Sequence, residues 1–264
     1  MDGSKLAGLM ASTRPDFSKL PGGWEPAVEQ LPILWSGSTG RKTHIQGFDG
    51  QLIHHALISE DCQKLIKLMQ QSTNVEKVSV QGRKDVPDDR VGSVRTTIWA
   101  PQLAQQLWRK IEHLSSVRNM NPFSATDWWQ GNKNRTKWKP CGVSPMLRFM
   151  RYEAGGQHYA HYDAGYIYGN DSIRTLQSIV IYLTTTNNGG STRFIKDNQD
   201  DVVIWNRSHL DWTREVRNDE VMFKSHPEQG KMLIFDHRIC HDVELYQGNE
   251  PRIIIRGDLV FQAV

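Results

Sequence analysis

The side chains of this 264-residue chain best placed to do chemistry together are His161, Asp163 and His241. His161 and Asp163 sit in the run Tyr-Ala-His-Tyr-Asp, residues 159–163. On an extended strand, side chains two apart project to one face, so both can point at a single ion. His241, in the stretch Phe-Asp-His-Arg-Ile-Cys-His-Asp-Val at 235–243, lies on a separate β-type run and supplies a third ligand. Two imidazoles and one carboxylate on one face of an octahedron leave three positions free. An iron(II) centre that must bind both a cosubstrate and O₂ needs that arrangement. Other readings stand beside this one. A His-x-Asp pair also occurs as ordinary surface or hydrogen-bonding residues. The same three ligands would serve zinc in a hydrolase, or a barrel that binds metal without oxidising anything. His237 is an alternative third ligand if its segment were helical, although Met232–Phe235 reads as strand. His158 shares strand parity with Ala160 rather than with the ligands and reads as structural. His209 and His226 fall in a polar insert, 206–229, and read as exposed.

Positioning these residues requires strands. Met146–Tyr152, Ser178–Thr184, Ser191–Ile195, Val202–Trp205, Lys231–Phe235 and Arg252–Phe261 are short β-type runs separated by Gly, Asn and Asp clusters. Two helices precede them. Ser59 caps the first, in which Cys62, Leu65, Ile66 and Met69 fall at helical spacing. Pro101 opens the second, which places Leu103, Leu107, Ile111 and Leu114 on one stripe. Many short strands after two helices predict an α+β, mainly β fold, a barrel or sandwich backed by N-terminal helices. Residues 1–30 read as an arm, 31–143 as helical support with a long loop, and 144–264 as the β core of one domain spanning 1–264. The stretch 81–89 is polar and turn-rich. Residues 119–141 lack any period and read as a long loop of the kind that forms lids. Its Trp128, Trp129 and Trp138 either wall a substrate or pack the loop onto the core.

Composition excludes several classes. Charged residues make up 23% of the chain, and a net charge of +3 with a pI near 8.7 is too weakly basic to argue for nucleic acid. Three widely spaced cysteines, Cys62, Cys141 and Cys240, form no disulfide framework and no Cys-x-x-Cys zinc site. There is no signal-peptide pattern and no run near the roughly 20 apolar residues of a membrane span. A soluble, cytoplasmic protein is expected, and the sequence leaves its oligomeric state open.

Three blocks go further: Leu-Arg-Phe-Met-Arg-Tyr-Glu-Ala-Gly-Gly-Gln-His-Tyr-Ala-His-Tyr-Asp at 147–163, 179–194 with its Tyr-Leu-Thr and Gly-Gly-Ser-Thr-Arg-Phe, and 230–260 with its late His followed by a basic residue. Together, over about residues 144–262, they resemble the prolyl 4-hydroxylase-like branch of the 2-oxoglutarate/iron(II) dioxygenases. The resemblance implies a double-stranded β-helix, a jelly-roll or cupin-like barrel. It implies Fe(II), 2-oxoglutarate and O₂ as cofactors, with His161, Asp163 and His241 as catalytic metal ligands. Arg252, eleven residues after His241, matches the family's anchor for the far carboxylate of 2-oxoglutarate. A planar guanidinium suits that role because it grips a carboxylate with two hydrogen bonds. Tyr182 matches a tyrosine that donates to the same carboxylate, and Tyr152 one that lies over the cosubstrate. The implied reaction is oxidative decarboxylation to succinate and CO₂ coupled to attack on an unactivated C–H. Asp163, where related halogenases carry a small residue, argues for hydroxylation, desaturation or cyclisation rather than halogenation.

Parity adds two expectations. Arg252, Ile254 and Arg256 share one face of the last strand, so an inward Arg252 brings Arg256 inward too, as a rival anchor, a hook for an anionic substrate or a partner of Asp258. Arg148 shares a face with Tyr152, where a charge must be paired or wet. Arg148 and Arg256, with Trp138 from the long loop, are the expected substrate contacts. The substrate is read as a small molecule such as an amino acid or other metabolite, with a prolyl-type protein side chain as the alternative.

Overall fold

The computed structural model describes residues 40–47, 50–72, 75–77, 93–112, 138–163, 165–168, 173–197 and 216–263. The expected arm 1–30, the loop 81–89, the strand Val202–Trp205, His209, and most of the loop 119–141 with Trp128 and Trp129 lie outside these residues. Along the chain come β1 (Lys42–His44), β2 (Gly50–Ile53), α1 (Ser59–Gln71), β3 (Val75–Lys77), β4 (Ser93–Trp99) and α2 (Pro101–Glu112). Then follow β5 (Trp138–Val143), β6 (Met146–Tyr152), β7 (His158–His161), β8 (Ile167–Tyr168), β9 (Ile173–Tyr182) and β10 (Thr192–Ile195). The last four strands are β11 (Val221–Ser225), β12 (Met232–Asp236), β13 (His241–Val243) and β14 (Arg252–Ala263).

The strands pair antiparallel in two sheets. The larger runs β1-β2-β12-β9-β14-β6-β4-β3, with β5 also on β14 and β8 on β9; the smaller runs β11-β10-β13-β7. Strands β6, β9, β12 and β14 of one sheet and β7, β10, β11 and β13 of the other make the eight strands of a double-stranded β-helix, as the family resemblance implies.

Alternation sorts the side chains of the larger sheet. Leu147, Phe149, Ile179, Ile181, Met232, Ile234, Ile253 and Ile255 face one way and join an apolar cluster with both helices. Leu65 on α1 and Leu107 and Ile111 on α2 are fully or almost fully buried there, each such burial contributing about 1.5–3 kcal/mol. Met150, Tyr152, Val180, Tyr182, Leu233, Phe235 and Ile254 face the other way, into the barrel, where they meet Phe194, Val243 and Tyr246 of the smaller-sheet side. Each strand thus serves two cores, one that fastens the helices and one that lines the site.

Four details depart from expectation. Helix α1 starts at Ser59, but Ile58 occupies its cap and no side chain bonds there; Glu60 and Asp61 in the first turn complement the helix dipole instead. Strand β9 begins at Ile173, before the apolar run at 178, because Arg174, Thr175 and Gln177 also pair with β14. The insert 206–229 is not polar loop throughout: its Val221–Ser225 is the edge strand of the smaller sheet, with exposed and half-buried side chains alternating. Trp138 opens β5 and is buried in the helix-facing cluster, with Arg174 over its ring at 5.1 Å. Among the described residues no helix is long and apolar enough to cross a membrane.

Candidate metal and cosubstrate site

Strands β7 and β13 lie side by side in the smaller sheet, with His241 opposite His161. Asp163 follows β7, and its backbone N–H donates to the carbonyl of His237 at the end of β12 (3.2 Å). The two sheets thereby bring three ligand atoms within 4.8 Å of one another, one each from His161, Asp163 and His241. His161 Nε2 is 3.9 Å from Asp163 Oδ1, and His241 Nε2 is 3.6 Å from Asp163 Oδ2. An ion with bonds of about 2.1 Å joins atoms roughly 3 to 4 Å apart, so the set fits one divalent cation.

The ring orientations are fixed by the main chain. His161 Nδ1 lies 2.7 Å from the carbonyl of Tyr159, and His241 Nδ1 lies 2.9 Å from the carbonyl of Ile239. A carbonyl only accepts, so each Nδ1 carries the hydrogen and each Nε2 keeps a bare lone pair facing the centre. Burial lowers the pKa of His161 and, with the neighbouring His161 ring, pushes that of His241 down to about 3. Both imidazoles are therefore neutral ligands at neutral pH. Burial alone would raise the pKa of Asp163. Arg256 first, then the two imidazoles, outweigh that and hold the carboxyl well below its usual range. The chain thus presents two neutral nitrogens and one anion. Phe235 packs edge-on against His241 at 4.7 Å and keeps that side dry.

On the same inward face, Arg252 is completely buried between two aromatic rings, 4.7 Å from the centroid of Tyr152 and 5.7 Å from that of Tyr182. Its Nε donates to the carbonyl of Gly190 at 2.5 Å. Among the described residues neither Nη1 nor Nη2 makes a hydrogen bond of good geometry, and the Tyr152 hydroxyl is the nearest group that acts on the guanidinium. Burial outweighs the two tyrosines and lowers the guanidinium pKa. A buried cation so placed is costly unless an anion joins it, and the matching partner is a carboxylate. The hydroxyl of Tyr182 is engaged by Thr192 Oγ1 at 2.8 Å and, more weakly, by the carbonyl of Ser225 at 3.4 Å, so its hydrogen already has acceptors. Gly190 takes a positive φ of 73°, and a Cβ there would stand 2.7 Å from Arg252 Cδ. The glycine therefore leaves room for the guanidinium.

The remaining expected residues divide. Arg148 is buried on the inward face, but its donors are taken by Asp258 Oδ2 (3.0 Å) and the hydroxyl of Tyr166 (2.5 Å). Arg256 lies beside Asp163 and Asp258 together. Trp138 lies in the other core, away from the triad. His237 is buried with its Nε2 3.2 Å from Asp258 Oδ1 and does not join the three-ligand group. His158 does more than its parity indicated: a register shift between His241 and Val243 turns its ring onto His161, stacked at 3.9 Å. The sequence reading also missed Ser178, which donates to Asp163 Oδ2. Its inward parity with Val180 and Tyr182 was the available signal.

Residues 147–257 match the 2OG-Fe(II) oxygenase superfamily. The matched segment runs from β6 into β14 and contains the triad, Arg252 and both tyrosines. Fe(II), 2-oxoglutarate and O₂ are the cofactors that this match and the His-Asp-His triad indicate. No curated protein matches the chain. Among solved structures, the chain is similar to a prolyl 4-hydroxylase of Pseudomonas putida at 15% identity, covering 80% of this chain and 91% of that one, with a TM-score of 0.48. A viral collagen prolyl hydroxylase of Paramecium Bursaria Chlorella virus-1 shares 15% identity over 82% of this chain and 97% of its own, at a TM-score of 0.43. The α-ketoglutarate-dependent epimerase SnoN of nogalamycin biosynthesis shares 12% identity over 81% of this chain and 78% of its own, at a TM-score of 0.44.

Proposed function

We propose that this chain is an Fe(II)- and 2-oxoglutarate-dependent hydroxylase acting on an unactivated C–H of a small molecule, an amino acid or another metabolite. His161, Asp163 and His241 hold the iron, and Arg252 takes the distal carboxylate of 2-oxoglutarate. The observation that carries the reading is Arg252: fully buried, facing into the same barrel as the triad from the opposite sheet, with no carboxylate paired to it among the described residues. When bound, iron and 2-oxoglutarate supply the oxidative decarboxylation to succinate and CO₂ that lets O₂ attack such a bond.

The chain's own residues bind, orient and exclude water. The two Nε2 lone pairs and the Asp163 carboxylate occupy one side of the centre and leave the other side for ligands. Tyr152 and Tyr182 flank the guanidinium and fix the plane in which it offers its donors. The inward apolar cluster, Leu233, Phe235, Val243 and Ile254 among it, keeps water away from that end of the barrel. The preference for a small substrate rests on the sequence reading of the stretches 119–141 and 206–229 as covers for a compact pocket, although 138–141 and 221–225 belong to strands β5 and β11.

The test is a panel of amino acids, metabolites and peptides scored by succinate release, with Asp163→Ala as control. Release with small molecules and its loss in Asp163→Ala are expected. Turnover with peptides alone would replace the small substrate by a protein side chain. Anaerobic addition of Fe(II) and 2-oxoglutarate should also give a weak visible charge-transfer band; its absence, with O₂-independent activity, would point to a hydrolase.

A further inference from the structure

Three groups converge on Asp163. Ser178 Oγ donates to Oδ2, the His237 carbonyl takes the backbone N–H, and Arg256 Nη2 stands 3.0 Å from Oδ1. The guanidinium is shared: the same Nη2 lies 3.1 Å from Asp258 Oδ1. Asp258 is fully buried and is fixed from its other oxygen by Arg148 Nη1 at 3.0 Å. Arg148 in turn donates to Tyr166. Register explains the assembly. On β14, Arg256 faces Arg148 of β6, while Asp258 faces Ser178 of β9. A row Tyr166–Arg148–Asp258–Arg256–Asp163 therefore crosses the barrel and ends on the carboxylate of the triad.

Two effects of opposite sign follow for a cation bound there. A guanidinium beside a ligand carboxylate repels the incoming ion. It also resists turning of the carboxylate about its Cβ–Cγ bond, because Ser178 donates to Oδ2 while the guanidinium stands against Oδ1 as an ion pair without a well-aligned hydrogen bond. Asp258, as close to Nη2 as Asp163 is, offsets most of the repulsion and leaves the orienting effect. We infer that Arg256 is a positioning residue that locks the Asp163 carboxylate for metal binding, with Asp258 as the counter-ion that lets a cation sit so near the metal. The inference rests on the proposed metal role of Asp163. It gives Arg256 a task distinct from that of Arg252, four residues earlier and roughly 13 Å away along the strand.

The test is anaerobic titration of the full chain with Co(II), without 2-oxoglutarate or substrate, followed by visible absorption. Losing an orienting partner of a ligand typically costs 10–100-fold in metal affinity. Arg256→Met should therefore weaken cobalt binding about tenfold or more and alter the band. Arg256→Lys should stay within about threefold of the unmodified chain, because a single nitrogen makes both contacts and lysine is a point charge. Circular dichroism checks folding, and Arg256→Gln replaces the Met variant if that one does not fold. Unchanged or tighter cobalt binding in the uncharged variant overturns the inference, as does a lysine variant as weak as the methionine one. If the unmodified chain binds no cobalt, or Asp163→Ala binds as well as it does, the proposed function falls instead.

Discussion

Replacing Arg252 by methionine should do two opposite things. Ligand-free, the guanidinium is fully buried, with its Nε on the Gly190 carbonyl, two rings beside it and, among the described residues, no carboxylate paired to it. Burying a cation without a counter-ion costs several kcal/mol, while contact with an aromatic face returns about 1–2 kcal/mol. Methionine fills much of the same volume with no charge, so the ligand-free variant should melt higher than the parent. With 2-oxoglutarate the balance reverses. Nη1 and Nη2, which make no well-aligned hydrogen bond among the described residues, can form two charge-assisted hydrogen bonds to one carboxylate, each worth about 1.5–3 kcal/mol. Their loss removes about 3–6 kcal/mol, or roughly 10²- to 10⁴-fold in affinity. Differential scanning calorimetry of the ligand-free protein and anaerobic calorimetric titration of the Co(II)-loaded protein with 2-oxoglutarate read the two effects separately. Affinity within threefold of the parent would refute the role given to Arg252. A lowered melting temperature would refute the claim that the cation is uncompensated.

Other predictions use the same geometry. Gly190→Ala places a methyl 2.7 Å from Arg252 Cδ at a φ of 73°, so it should weaken 2-oxoglutarate binding tenfold or more while leaving cobalt affinity alone; equal loss of both would show a wider collapse. Metal-free protein should lose stability between pH 7 and pH 5. His241 titrates near 3 when folded against 6.5 unfolded, so the unfolded chain binds the extra proton across that window, at a cost of ~2 kcal/mol by pH 5. Asp163 and Asp258, whose pKa values are depressed, contribute stability that disappears only below about pH 4, so the window isolates the imidazoles. Urea unfolding at the two pH values measures it, and a flat profile would contradict the neutral, buried state of the rings. Ser178→Ala should weaken cobalt binding less than Arg256→Met, since it removes a neutral donor rather than a charged one.

Much of this was legible because strands encode facing by simple alternation. Arg252, Ile254 and Arg256 turned inward together while Ile253 and Ile255 turned to the helices, as period two requires. Pro101 opened the second helix where its missing N–H does no harm. What escaped reading depends on contacts between distant segments. The stacking of His158 on His161 needs the register shift between β13 and β7, which no local pattern announces. Asp258 closing on Arg148 from 110 positions away was visible only as a charge that needed some partner. Trp138 belonged to an aromatic stretch whose two alternatives, wall or packing, differ only in which core it meets, and it meets the outer one.

Both nitrogen donors of the triad are steered by peptide carbonyls two residues back along the chain. Main chain cannot be substituted away. Drift in the surrounding side chains can therefore alter the pocket, and with it the molecule accepted, while the two rings keep their aim. Selection for a new substrate can work on the barrel's lining without first rebuilding its metal grip.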